Sequence, residues 1–191
     1  TVTGENQIGG LVGLNRNTID GCSSSCSVSG NKRVGALAGR NIADVNESVA
    51  EGNVQGQEDV GGLTGLNEGY VNKCGSFCTV DGVQLIGGFT GTNYGTIKSC
   101  YSEGNISGDY YVSGGAGRNY LKVINCTSKA NVEVEYVYAG GLAGSNESNG
   151  WIENSYAFGN ISGAKNIGGL LGYNNGVVFK CYSTGKVTDN Y

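Results

Sequence analysis

The residues of this chain that could do chemistry are few in kind. Histidine is absent, so neither a Ser-His or Cys-His triad nor an imidazole zinc ligand can be assembled. Carboxylates, thiols and phenols remain. The most suggestive acids are Glu133 and Glu135 in Val132-Glu133-Val134-Glu135-Tyr136, because strand alternation sets both on one face and paired carboxylates are the equipment of glycoside hydrolysis. The same alternation, with valines between the acids, is the ordinary mark of a solvated strand face. That second reading is adopted here, and no catalytic residue is assigned. The nearest approach to a Gly-Gly-x-Gly-x-Asp calcium repeat, Gly114 to Asn119, ends in a neutral amide. No metal, no cofactor and no enzyme activity are expected.

Thiols and phenols recur at regular separations. Cys22, Cys74, Cys100, Cys126 and Cys181 fall at one phase of a repeat of about 26 residues, and Cys26 and Cys78 share another. Two readings stay open: disulfides Cys22–Cys26, Cys74–Cys78 and Cys100–Cys126, with Cys181 left over, or a column of small buried thiols. Tyr94 and Tyr120 share a phase, as do Tyr101, Tyr156 and Tyr182, while Tyr110, Tyr136 and Tyr191 fall at or near another. Stacked exposed rings suit a sugar or a neighbouring chain, so Tyr94, Tyr120, Tyr110 and Tyr136 are the candidate contacts for glycans or partners.

These spacings demand a scaffold that repeats. Ile8-Gly9-Gly10-Leu11-Val12-Gly13-Leu14-Asn15 returns with starts at Val34, Val60, Ile86, Val112, Ala139 and Ile167, which are 26, 26, 26, 26, 27 and 28 residues apart. Counting the first residue of each copy as position 0, and allowing for two extra residues around Glu147 to Gly150, position 5 is always glycine. Position 7 is always asparagine: Asn15, Asn41, Asn67, Asn93, Asn119, Asn146 and Asn174. Positions 11 and 20 are always Val or Ile, which suit a pleated core face. Positions 14, 16 and 18 are mostly small, which predicts a narrow interior. The glycine is expected where a side chain would clash or where φ is positive. The asparagine is expected to turn a corner and bond to the copies above and below.

A parallel β-solenoid of about seven coils follows, all-β, with right-handed winding favoured. Each coil is expected to hold strands near positions 0 to 5, 10 to 16 and 18 to 22. Residues 1 to 191 are read as a single solenoid domain with both ends uncapped. With 36 glycines and no proline, neither collagen nor an ordinary globular core fits. Net charge is −4, with charges interspersed, so nucleic acid is not an expected partner. No apolar run of about 18 residues exists, so membrane insertion is not expected either.

The string Ile-Gly-Gly-Leu-x-Gly-x-Asn, followed by Gly-x-Ile/Val-x-x-Cys-Tyr-Ser-x-Gly-x-Val/Ile-x-Gly, resembles the GLUG repeat of bacterial surface proteins. Ile167 to Val187 and Ile86 to Gly108 carry nearly all of it, and Val112-Ser113-Gly114-Gly115 departs from it. The resemblance implies an extracellular or cell-surface segment of adhesin-like proteins, without catalysis. The leading reading is therefore a rigid stalk or adhesive rod. A self-assembling filament subunit, with copies of the same chain as partners, is the alternative, and a glycan-binding module comes third.

Overall fold

The computed structural model describes residues 1–189, and Tyr191, one of the phase-matched tyrosines, lies outside them. The strands pair in parallel, each with its counterpart one coil away, and among the described residues there is no helix. Register follows the repeat: Asn41 is level with Asn67, Val45 with Val71, and Val54 with Val80. The chain is thus a parallel β-solenoid of about seven turns.

Every coil has three faces. A short face is a seven-stranded sheet running from Val12–Asn15 to Leu171–Asn174, and a second seven-stranded sheet runs from Ile19–Asp20 to Val177–Phe179. The remaining face is long. In two coils it is one continuous strand of 13 residues, Val49–Gly61 and Gly75–Gly87, and in the others it is broken into shorter pieces.

The breaks do not fall where the pattern placed them. Positions 0 to 5 are not one strand, because the chain turns at the Gly-Gly-Leu step between Asn6–Gly9 and Val12–Asn15. Positions 10 to 16 are interrupted as well. Left-handed backbone recurs at two positions of the coil and accounts for the second break. The residue before each repeat start, namely Gln7, Arg33, Asp59, Leu85, Tyr111, Tyr138 or Asn166, has φ between 53° and 69°. Position 13 behaves the same way, with φ between 46° and 58° at Gly21, Glu47, Lys73, Ser99, Asn125, Asn154 and Lys180. Left-handed conformations cost a side-chain-bearing residue about 1–2 kcal/mol. At position 13 the left-handed residue separates two strands, whereas Asp59, Leu85, Tyr111 and Tyr138 bend the long strand from within it.

The invariant glycine answers the other half of its expectation. Position 5 does not have positive φ. Instead its backbone lies against the left-handed corner: a Cβ added at Gly65 would sit 2.5 Å from the Arg33 carbonyl carbon, and one at Gly91 would sit 2.5 Å from that of Asp59. Only hydrogen fits in that gap.

The invariant asparagines form a continuous ladder. Asn15 Nδ2 donates to Asn41 Oδ1 at 2.7 Å, and Asn41→Asn67, Asn67→Asn93, Asn93→Asn119, Asn119→Asn146 and Asn146→Asn174 follow at 2.8–2.9 Å. Each amide also holds its own corner. Asn93 Nδ2 donates to the Gly95 carbonyl at 3.1 Å, and its Oδ1 accepts from the Gly95 N–H at 3.2 Å. These buried amides are satisfied on both sides, which a low-dielectric interior demands.

The core lies between the faces. Val and Ile from positions 0, 11 and 20 are buried in the inner coils, whereas Val178 and Val187 of the last coil are exposed, and position 3 adds Leu37, Leu63, Phe89 and Leu142 to the core. The small columns face one another across the narrowest section. A Cβ at Gly62 would lie 2.1 Å from Ser76 Oγ, and one at Gly114 would lie 2.0 Å from Ser128 Oγ. In the second coil the same pair of columns reads Ala36 and Ala50, so the added methyl meets a residue without a hydroxyl. The departure at Gly115 follows similar logic. A Cβ there would lie 2.1 Å from the Leu142 carbonyl oxygen, and the neighbouring coil supplies Phe89, the bulkiest member of that column.

Candidate functional site

The cysteines resolve in favour of the thiol column. All seven are free, so the bridges Cys22–Cys26, Cys74–Cys78 and Cys100–Cys126 are corrected. For the first two the reason is extension. Ser23–Ser25 and the start of Gly75–Gly87 are strands, and four residues of strand span about 13 Å, well beyond disulfide reach. Cys100 and Cys126 do stack on adjacent coils as thiols in hydrogen-bonding contact, and each also reaches a carbonyl. Cys100 Sγ donates to the Lys98 carbonyl at 3.3 Å, and Cys126 Sγ donates to the Ile124 carbonyl at 3.3 Å. Burial pushes the Cys100 thiol well above its ordinary range and Cys78 up to about 11. Cys74 is also raised, first by its hydrogen bond with Cys100 and then by burial. Thiolates are the reactive form, so this column is packing material.

Glu133 and Glu135 are exposed and lie on one side of their strand, with Val132 and Val134 buried. They border an acidic groove of about 650 Å³ with Asp81 and Asp109. Asp109 is held above the ordinary carboxylate range by partial desolvation, with Glu135 and Asp81 adding to it. The extra residue of this copy sits here as a bulge, since Gly108 is level with Val134 but Tyr110 with Val137. Tyr110 and Tyr136 stack beside it with ring centroids 5.1 Å apart. No group of three or more metal-ligating side chains forms among the described residues.

The short face carries the more varied surface. On its outer side stand position 6, the left-handed corner residues and position 8. Tyr94 and Tyr120 stack at 4.5 Å with rings 12° from parallel, and Tyr94 is 49% exposed. Opposite them, Tyr111 and Tyr138 stack at 4.9 Å, and Tyr173 meets Tyr138 edge-on at 5.8 Å. Arg118 lies between the two stacks. Its guanidinium carbon is 4.1 Å from the Tyr111 ring centre, its Nη1 is 3.5 Å from the Tyr120 hydroxyl, and its Nε is 3.4 Å from Glu147.

Beside the Tyr94 stack is a slot of about 300 Å³ whose lining includes Arg33, Asp59, Leu66, Thr92, Tyr94 and Arg118. Asp59 is only 6% exposed and accepts a 2.6 Å hydrogen bond from Thr92 Oγ1. Burial raises its carboxyl above the ordinary range, with Thr92 opposing. Lys32 and Glu58 close one edge as a 2.6 Å ion pair.

Of the tyrosines singled out by phase, Tyr94 and Tyr120 meet on this face, while Tyr110 and Tyr136 meet at the acidic groove. Phase alone missed Tyr111, Tyr138, Arg118 and Asp59. The signal was present: Tyr111 and Tyr138 immediately precede Val112 and Ala139, so both occupy the corner column once the extra residue is placed at the bulge.

Comparison with known proteins agrees with the repeat. A family model described as the GLUG motif matches residues 82–107, 135–162 and 163–188. Searches of curated proteins and of solved structures returned no match. Each matched stretch is about one period long and begins four residues before Ile86, Ala139 or Ile167, so the motif recurs at the period of the coil in three of the seven turns.

Proposed function

We propose that this chain is a non-enzymatic structural segment of an extracellular or cell-surface protein, serving as a rigid stalk or adhesive rod. The observation that carries the reading is the asparagine ladder, which bonds each coil to the next at 2.7–2.9 Å without a gap from Asn15 to Asn174. Parallel backbone pairing runs alongside it on three faces. Bending such a stack stretches several hydrogen bonds per coil at once, so stiffness is a direct consequence of the repeat. The GLUG resemblance supports the surface location.

The test has two readings. Protease treatment of intact cells of the source organism should release peptides of this chain, and small-angle scattering of the purified chain should fit a straight rod of constant cross-section. Peptides appearing only after lysis would remove the surface location, and a flexible-chain scattering profile would remove the stalk. A polysaccharide screen should release no reducing ends. Release that Glu133→Gln abolishes would overturn the non-enzymatic reading.

A further inference from the structure

The slot on the short face is built from groups that a simple spacer does not require. Asp59 occupies a corner whose other residues are Gln7, Arg33, Leu85, Tyr111, Tyr138 and Asn166, so nothing in the backbone geometry calls for a carboxylate. It is nevertheless buried, at a desolvation cost, with Thr92 Oγ1 as its one side-chain hydrogen-bond partner among the described residues. A carboxylate has about four acceptor sites, which leaves most of its capacity unused. Across the slot the Nε–H of Arg33 is buried without a hydrogen-bond acceptor among the described residues, while that of Arg118 faces Glu147 at 3.4 Å without an aligned hydrogen bond. Native proteins rarely leave such groups idle unless something else uses them. The wall above them is the Tyr94–Tyr120 stack, an apolar surface that loses little entropy when covered.

We propose that this slot binds a neutral saccharide, taking one or two pyranose rings of a glycan. Apolar C–H faces of a pyranose lie against tyrosine rings, and its hydroxyls both donate and accept. Asp59 accepts from hydroxyls, and the Arg33 and Arg118 N–H groups donate to them. The charges argue for neutrality. Lys32 pairs with Glu58, Arg118 lies beside Glu147, and Arg33 balances Asp59. No net cationic surplus is left to select an acidic sugar. The volume, about 300 Å³, stands at the lower end of the range for small-molecule sites of about 300–1,000 Å³, which fits one or two rings and not a long oligomer. The proposal does not depend on the stalk reading, since a rod and a binding face are compatible.

Saturation-transfer NMR tests it, with the full chain and a panel of neutral oligosaccharides ending in glucose, galactose, mannose or N-acetylglucosamine. At least one should show transfer to its ring protons. Tyr94→Ala and Asp59→Asn should each weaken that binding at least tenfold, with Tyr110→Ala, outside the slot, close to wild type. Circular dichroism of the same samples reports folding. If Asp59→Asn fails to fold, Tyr94→Ala decides alone, because it removes a half-exposed ring. Absence of transfer from every neutral oligosaccharide at millimolar concentration would overturn the proposal. Binding that survives Tyr94→Ala, or that is confined to sialylated or uronic-acid glycans, would do the same.

Discussion

At the scale of single residues, two kinds of glycine carry different burdens. Gly91 sits where a Cβ would lie 2.5 Å from the Asp59 backbone, whereas Gly21 has φ of 58° and nothing within 4 Å of an added Cβ. Gly91→Ala must therefore push two coils apart and should cost at least about 2–3 kcal/mol, as overpacking does. Gly21→Asn should cost under about 1 kcal/mol, since Asn tolerates left-handed backbone and Asn125 and Asn154 already stand at that corner. Urea unfolding of both variants checks the contrast, and equal losses would remove the clash explanation. Asp59 adds a pH prediction. Its folded carboxyl is raised, so its contribution to stability is fully present below the ordinary carboxylate value and is lost as pH rises through the folded value. Asp59→Asn should accordingly raise the melting temperature relative to wild type at pH 7 and show little difference near pH 3. An advantage that is independent of pH would contradict the assigned cause.

At the scale of the element, the unit is the corner. Asn93 is buried and exchanges hydrogen bonds with Asn67, Asn119 and both backbone groups of Gly95. Asn93→Ala strands partners on three coils, and each buried group left without a partner costs about 1–3 kcal/mol. A loss of roughly 3 kcal/mol or more is expected in chemical denaturation. A loss below about 1 kcal/mol would mean that the backbone ladders hold the corner without the amide. The left-handed residues at the other two corners carry no comparable side-chain demand, which is why Leu85, Tyr111, Lys73 and Glu47 all serve there.

At the scale of the whole molecule, the thiols report cooperativity. Cys74, Cys78, Cys100 and Cys126 are buried, while Cys22, Cys26 and Cys181 are partly accessible. Alkylation of the native protein at pH 8, read by intact mass without reductant, should modify the accessible three quickly and reach seven only on unfolding. Because the protected thiols lie on three consecutive coils, they should become reactive together if the stack unfolds as a unit. Fewer than seven modified thiols in denaturant would restore a disulfide. Staggered protection would mean that the coils open one by one.

The sequence by itself determined the period, the parallel register, the inward columns and the place of the asparagines. Identical residues 26 apart can meet only when strands stack level, and Val, Ile and Asn each suit one environment strongly enough to mark it. The faces and the slot were decided by tertiary structure. The left-handed corners fall on Arg33, Leu85, Tyr111 and Tyr138, residue types that carry no such preference, so the surrounding coils impose that conformation. Likewise Asp59 and Thr92 lie 33 residues apart and hold opposite sides of a turn. Only winding the chain brings them within 2.6 Å, because a pattern that repeats along the axis encodes what lies above and below, and not what faces across the coil.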